Sequence, residues 1–126
     1  MEIYQFDGNN GLPTIFLDKR NGNFEISGTS FPEDSIGFYN PVFQWLKNFE
    51  QNPGTSLNIV FKLEYFNTSS SKVFQNFIDI FERIHKTGTE VSLKWYYSDD
   101  DEDIYEAGVG YSERVKYSFN LIPLKG

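Results

Sequence analysis

Apolar residues recur along this chain at two periods, and the switches between them outline its elements. In residues 57–66, Leu57, Ile59, Phe61, Leu63 and Tyr65 point one way while Asn58, Lys62 and Glu64 point the other, with Val60 and Phe66 as exceptions. In residues 90–97, Val91, Leu93, Trp95 and Tyr97 alternate with Glu90, Ser92, Lys94 and Tyr96. A period of two is the signature of a strand with one buried face. Shorter extended pieces are expected at 3–6, 14–18, 23–27 and 118–122. Lys19-Arg20-Asn21-Gly22 reads as a hairpin between two of them, because Asn-Gly tolerates positive φ at both positions. Asp7-Gly8-Asn9-Asn10-Gly11 is a turn-rich break after the first piece.

The period changes to three and four in two places. Phe38, Val42, Trp45, Leu46 and Phe49 form one apolar stripe. Two starts fit this helix: Asn40-Pro41 as cap and first helical residue, or Asp34 or Ser35 capping an earlier turn that ends near Pro41. Gln51-Asn52-Pro53-Gly54 stops it. The second helix spans 69–86, with Val73, Phe74, Phe77, Ile78, Phe81 and Ile84 inward and Thr87-Gly88 at its end. A third, weak helix follows the acidic run and reaches about Ala107, kept short by Gly108 and Gly110.

Strand, helix, strand in that order suggests a parallel, right-handed crossover. A central strand covered on both sides is almost wholly apolar, and these strands are not. The helices therefore cover one face of the sheet and leave the other to water or a partner. The expected fold is α/β, one domain over residues 1–126, with a mixed, mostly parallel sheet of four to six strands. Two main helices and a short third pack largely on one face. Residues 1–12 form an N-terminal extension suited to an edge strand.

Composition narrows the function classes. With 126 residues, 39% hydrophobic and thirteen Phe, there is enough apolar area to build a core. A net charge of −7 argues against nucleic acid and against an anionic membrane surface. The absence of cysteine removes disulfides, thiolate metal sites and a thiol nucleophile. No basic segment followed by an apolar one opens the sequence, and no apolar run is long enough for a membrane span. A soluble cytoplasmic protein without cofactor is expected.

Little in the chain suggests catalysis. The single histidine, His85, sits near a helix C-terminus, where a cation needs no further role. No nucleophile elbow, phosphate loop or zinc-binding helix motif occurs. Counting from Asp99, an EF-hand loop would need Gly sixth and Glu twelfth; the chain has Ile104 and Gly110. The acidic run suits a solvated loop and the start of the next helix, so no metal site is expected. What remains is Thr68-Ser69-Ser70-Ser71, hydroxyls at a strand-to-helix junction. Two readings fit: Thr68, Ser69 and Ser70 cap the helix, or one of them accepts phosphate.

The segment Leu63-Glu64-Tyr65-Phe66-Asn67-Thr68-Ser69-Ser70-Ser71-Lys72 resembles the signature of the SiaC family of bacterial regulatory phosphoproteins. Gly28-Thr29-Ser30-Phe31-Pro32-Glu33-Asp34-Ser35, Phe38-Tyr39-Asn40-Pro41 with Trp45-Leu46, and Glu106-Ala107-Gly108 with Tyr111 and Phe119-Asn120-Leu121-Ile122 are similar to further family patterns in the same order. The resemblance covers about residues 14–122. It implies a fold similar to the STAS domains of anti-sigma-factor antagonists. It also implies phosphorylation of Thr68 by a cognate protein kinase, reversal by a PP2C-like phosphatase, and no enzymatic activity of its own. The unphosphorylated form would bind and activate an effector such as a diguanylate cyclase, in cyclic di-GMP and biofilm signalling.

Two departures bear on docking: Asp34 stands where the family more often has Asn, and Val109-Gly110 interrupt a usually more acidic stretch. The partner surface expected from the proximity of two helix starts comprises Glu33, Asp34, Ser35 and Tyr39 with Asn67, Ser69 and Ser70 around Thr68. The competing reading is a constitutive protein-interaction domain in which Thr68 is only a structural cap.

Overall fold

A computed structural model describes residues 2–126. The elements run β1 (Ile3–Phe6), β2 (Thr14–Asp18), β3 (Asn23–Ser30), α1 (Ser35–Gln51), β4 (Ser56–Phe66), α2 (Thr68–Lys86), β5 (Glu90–Ser98), α3 (Glu102–Ser112) and β6 (Ser118–Leu124). The six strands form one sheet in sequential order. β1, β2 and β3 pair antiparallel, and β3 through β6 are parallel, each joined to the next by a helix.

The inward rows of the sheet meet the helices on one side. Phe24 packs on Trp45 of α1 and on Phe77 and Phe81 of α2. Phe61 meets Phe74 of α2, and its register neighbour Trp95 meets Tyr111 of α3. Their opposite-facing neighbours Glu25, Asn58, Lys62 and Lys94 are exposed. Tertiary burial of these stripes, rather than local propensity, supplies most of the helical stability. β1 is one edge strand of the sheet and β6 the other; the β1 end is tied to α1 by Trp45 Nε1, which donates to the Glu2 carbonyl (3.1 Å).

Local details depart from the sequence-based expectations in three places. α1 is one helix from Ser35: of the starts considered, the Asp34 cap is the one present, its carboxylate accepting from Gly37 N–H, but the helix does not end near Pro41, which lies inside it. The stripe of Tyr39, Val42, Leu46 and Phe49 holds the helix through the hydrogen bond that Pro41 cannot donate. In the β2–β3 turn only Gly22 takes a positive φ; Asn21 does not, because Asp18 closes the turn by accepting from Arg20 N–H and the Asn21 side chain. α3 continues past Ala107 to Ser112, since Gly108 is a packing position and not a stop. No helix among the described residues is long and apolar enough to cross a membrane.

Candidate functional site

In a parallel sheet the strand C-termini and the helix N-termini meet at one end, which is where α/β folds place their binding sites. Here that end carries the loops before α1, α2 and α3, capped by Asp34, Asn67 and Asp101. The cap of α2 is therefore Asn67. Its side-chain oxygen accepts from Ser70 N–H (2.9 Å), and its backbone N–H donates to the Ser30 carbonyl at the end of β3 (3.0 Å). Thr68 is the first helical residue and contributes no cap, which removes the competing reading in which its hydroxyl closes the helix.

The four neighbouring hydroxyls have different fates. Ser70 is fully buried: its Oγ donates to the Ser30 carbonyl (3.2 Å) and contacts Ser30 Oγ (2.8 Å), which in turn contacts the Tyr39 hydroxyl (2.6 Å). Ser71 Oγ meets the Tyr111 hydroxyl (3.0 Å), which donates to the Ser71 carbonyl. Ser69 Oγ donates to Asn67 Oδ1 (3.2 Å) and contacts Ser35 Oγ (2.6 Å). Thr68 is exposed, as Ser69 is, and alone of the four forms no side-chain hydrogen bond among the described residues. At the first helical position it also lies beside the N–H groups that no preceding turn can pair, at the positive end of the helix dipole. A phosphate there meets donors instead of displacing them.

Of the residues expected at the partner surface, Glu33, Asp34, Ser69 and the half-buried Asn67 come together there with Thr68. Tyr39 and Ser70 do not: both are fully buried, joined by Ser30 beneath the surface. Burial pushes the Tyr39 hydroxyl far above the usual tyrosine range, against a smaller opposing effect of its hydrogen bond to Ser30. Ser35 is also buried, with its hydroxyl held by Ser69. These three position the surface and do not form it. Sequence reasoning passed over Ser30, which receives two hydrogen bonds on its carbonyl and links β3 to α2. Its cue was present: Tyr39 falls in register with Val42 and Leu46, and Ser70 with Phe74 and Phe77, so both belong to inward stripes.

Replacing the cap therefore acts on the fold where replacing Thr68 does not. Asn67→Ala should cost about 1 kcal/mol of stability. Thr68→Ala should stay within about 0.5 kcal/mol of wild type, as for other surface positions free of special contacts. Midpoints of urea unfolding measure both; equal losses would return the capping role to Thr68.

Elsewhere the chemistry is sparse. His85 sits at the far end of α2, about 25 Å along the helix from Thr68, with its ring 6.3 Å from that of Tyr117. A crevice of about 540 Å³ opens where β4 and β5 separate, lined by Lys62, Glu64, Asp101 and Lys125 among others. Its mixed charges single out no ligand class. Among the described residues no three His, Asp or Glu side chains are placed to share a metal ion.

Comparison with known proteins adds the following. The family model described as SiaC family regulatory phosphoprotein matches residues 6–124. A protein of Pseudomonas aeruginosa strain UCBPP-PA14 is 30% identical over 121 residues, covering 96% of each chain. The structure of SiaC of Pseudomonas aeruginosa superposes with a TM-score of 0.90 at 27% identity, covering 98% of this chain and 100% of that one. A chain of the crystal structure of the diguanylate cyclase SiaD in complex with its activator SiaC, from the same organism, gives 0.90 at 28% identity over 96% and 99%.

Proposed function

The chain belongs to the SiaC family of regulatory phosphoproteins, and on that premise we propose that it is a non-enzymatic partner-switching adaptor controlled at Thr68. A cognate protein kinase phosphorylates Thr68 and a PP2C-like phosphatase reverses it. The unphosphorylated form binds and activates a diguanylate cyclase in the cytoplasm, feeding cyclic di-GMP signalling. The observation that carries this reading is the state of one hydroxyl: of four in a row, Thr68 is the only one both exposed and unengaged. The complex of SiaD with its activator SiaC supports the choice of effector.

A kinase must extract its acceptor hydroxyl into its own site. Ser70 would first have to leave the core, and Ser69 and Ser71 would each give up hydrogen bonds worth about 0.5–1.5 kcal/mol apiece. Thr68 gives up none. The test is incubation with the cognate kinase and ATP, followed by peptide mass spectrometry. Phosphate is expected on Thr68. Phosphate only on Ser69, Ser70 or Ser71 would remove the assignment.

A further inference from the structure

Three large apolar side chains stand exposed around Thr68: Phe31 (55% exposed), Ile36 (76%) and Tyr65 (50%). The Phe31 and Tyr65 rings stack on each other, centroids 5.8 Å apart. Both are held by backbone: Phe31 N–H donates to the Gly11 carbonyl, and Tyr65 pairs with Thr29 across the register shift after Gly28. Asn67, just before Thr68, donates its side-chain N–H to the Pro32 carbonyl, next to Phe31 (3.4 Å). Ser69, just after it, contacts Ser35, next to Ile36. Thr68 thus lies between the aromatic pair and Ile36.

The rim is acidic on balance. Glu33, Asp34, Glu64 and Asp99-Asp100-Asp101 supply six carboxylates against three cations, Lys72 beside Glu33, Asp34 and Ile36, and Lys62 and Lys125 beside Glu64 and Asp101. Rigid aromatic anchors surrounded by charge are the usual make-up of a binding hot spot and its rim, and anchors ordered in advance lose little entropy on docking.

We infer that Phe31, Tyr65 and Ile36 are the apolar anchors of effector docking, and that the occupant is a protein segment bearing apolar side chains flanked by arginine or lysine. The inference rests on the adaptor reading and extends it to the chemistry of the partner. It also sets how the switch acts. A phosphate on Thr68 strengthens the negative field that draws a basic partner in, so release comes at short range, from desolvating an unpaired charge among the anchors. Phosphorylation then raises koff and leaves kon undiminished.

The experiment measures association and dissociation of the full-length chain with the purified diguanylate cyclase of the same organism, over a range of NaCl concentrations. Phe31→Ala and Tyr65→Ala are each expected to weaken binding about tenfold, chiefly through koff. Ile3→Ala, exposed on β1 away from this end, is expected to leave it unchanged. The wild-type kon should fall as salt rises. Wild-type affinity in both aromatic variants overturns the anchors while the adaptor reading stands. A kon that rises with salt overturns the basic partner. Self-association of the chain that Phe31→Ala abolishes, with cyclase binding intact, places a second copy on the patch and overturns the inference likewise. Failure of the unmodified wild-type chain to bind the cyclase removes the adaptor reading and this inference with it.

Discussion

Thr68→Asp should bind the effector more than a hundredfold more weakly than wild type, while Thr68→Ala binds as wild type does. Phosphorylation adds about −1.5 to −2 charges at neutral pH, and aspartate adds about −1 on a shorter stem. Either is well solvated on the free protein, at the start of a nineteen-residue helix. Once a partner covers the surface, that solvation is lost. An unpaired charge buried in an interface costs several kcal/mol, and about 3 kcal/mol exceeds a hundredfold in affinity. Alanine removes only an exposed hydroxyl that has no hydrogen bond to lose.

The same substitution acts on the fold with the opposite sign. A carboxylate in the first turn of α2, which has none of its own, should raise stability by about 0.3–1 kcal/mol. Thr68→Asp is therefore expected to melt no lower than wild type and yet to bind poorly. That separates a docking effect from simple unfolding. Isothermal titration calorimetry with the cyclase, beside thermal melts of each variant, measures both. Equal affinities for Asp and Ala would leave a constitutive interaction domain as the better description.

How much of this was legible in the sequence depended on whether a residue's local pattern agreed with its tertiary role. β4, β5 and α2 could be read because each buries one face, so the alternation of Leu57 through Leu63 and the stripe of Val73 through Ile84 are imprinted directly. The helix-free face followed from the polar half of that alternation. The start of α1 was half legible: Asp34 was one of the candidate caps, but Asn40-Pro41 is an equally good local signal for a helix start, and only packing of Tyr39 and Val42 decides between them. At the candidate site, nearness to a helix start located Thr68 and its neighbours. It did not say which hydroxyls face inward, nor that Asn67 and not Thr68 would close the helix. Phe31 and Tyr65 were equally hidden. Their outward placement depends on the register shift between Gly28 and Thr29, which a strict period of two does not foresee.

The glycines of α3 show the same division most sharply, and opposite substitution effects follow from it. By propensity alone, Gly→Ala inside a helix gains about 1 kcal/mol. Gly110→Ala should collect most of that: a Cβ there meets nothing within 4 Å. Gly108→Ala should not. Its Cβ would stand 2.5 Å from the Trp95 ring and 2.7 Å from a Leu121 methyl. Neither neighbour can step aside cheaply. Trp95 is buried among Phe61, Phe66, Tyr111 and Phe119, and its ring nitrogen donates to the Ile104 carbonyl (2.9 Å) at the start of this same helix. Overpacking a core of this kind costs about 1–3 kcal/mol or more, and backing α3 away would also strain that hydrogen bond, worth about 1 kcal/mol. The clash outweighs the propensity gain, leaving Gly108→Ala about 2 kcal/mol less stable than wild type. For a domain of this size the melting temperature should fall by about 8 °C for Gly108→Ala and rise by about 3 °C for Gly110→Ala. Calorimetric melts of the two variants decide the point: if both rise together, the close approach of α3 to Trp95 is not what sets the length and position of this helix.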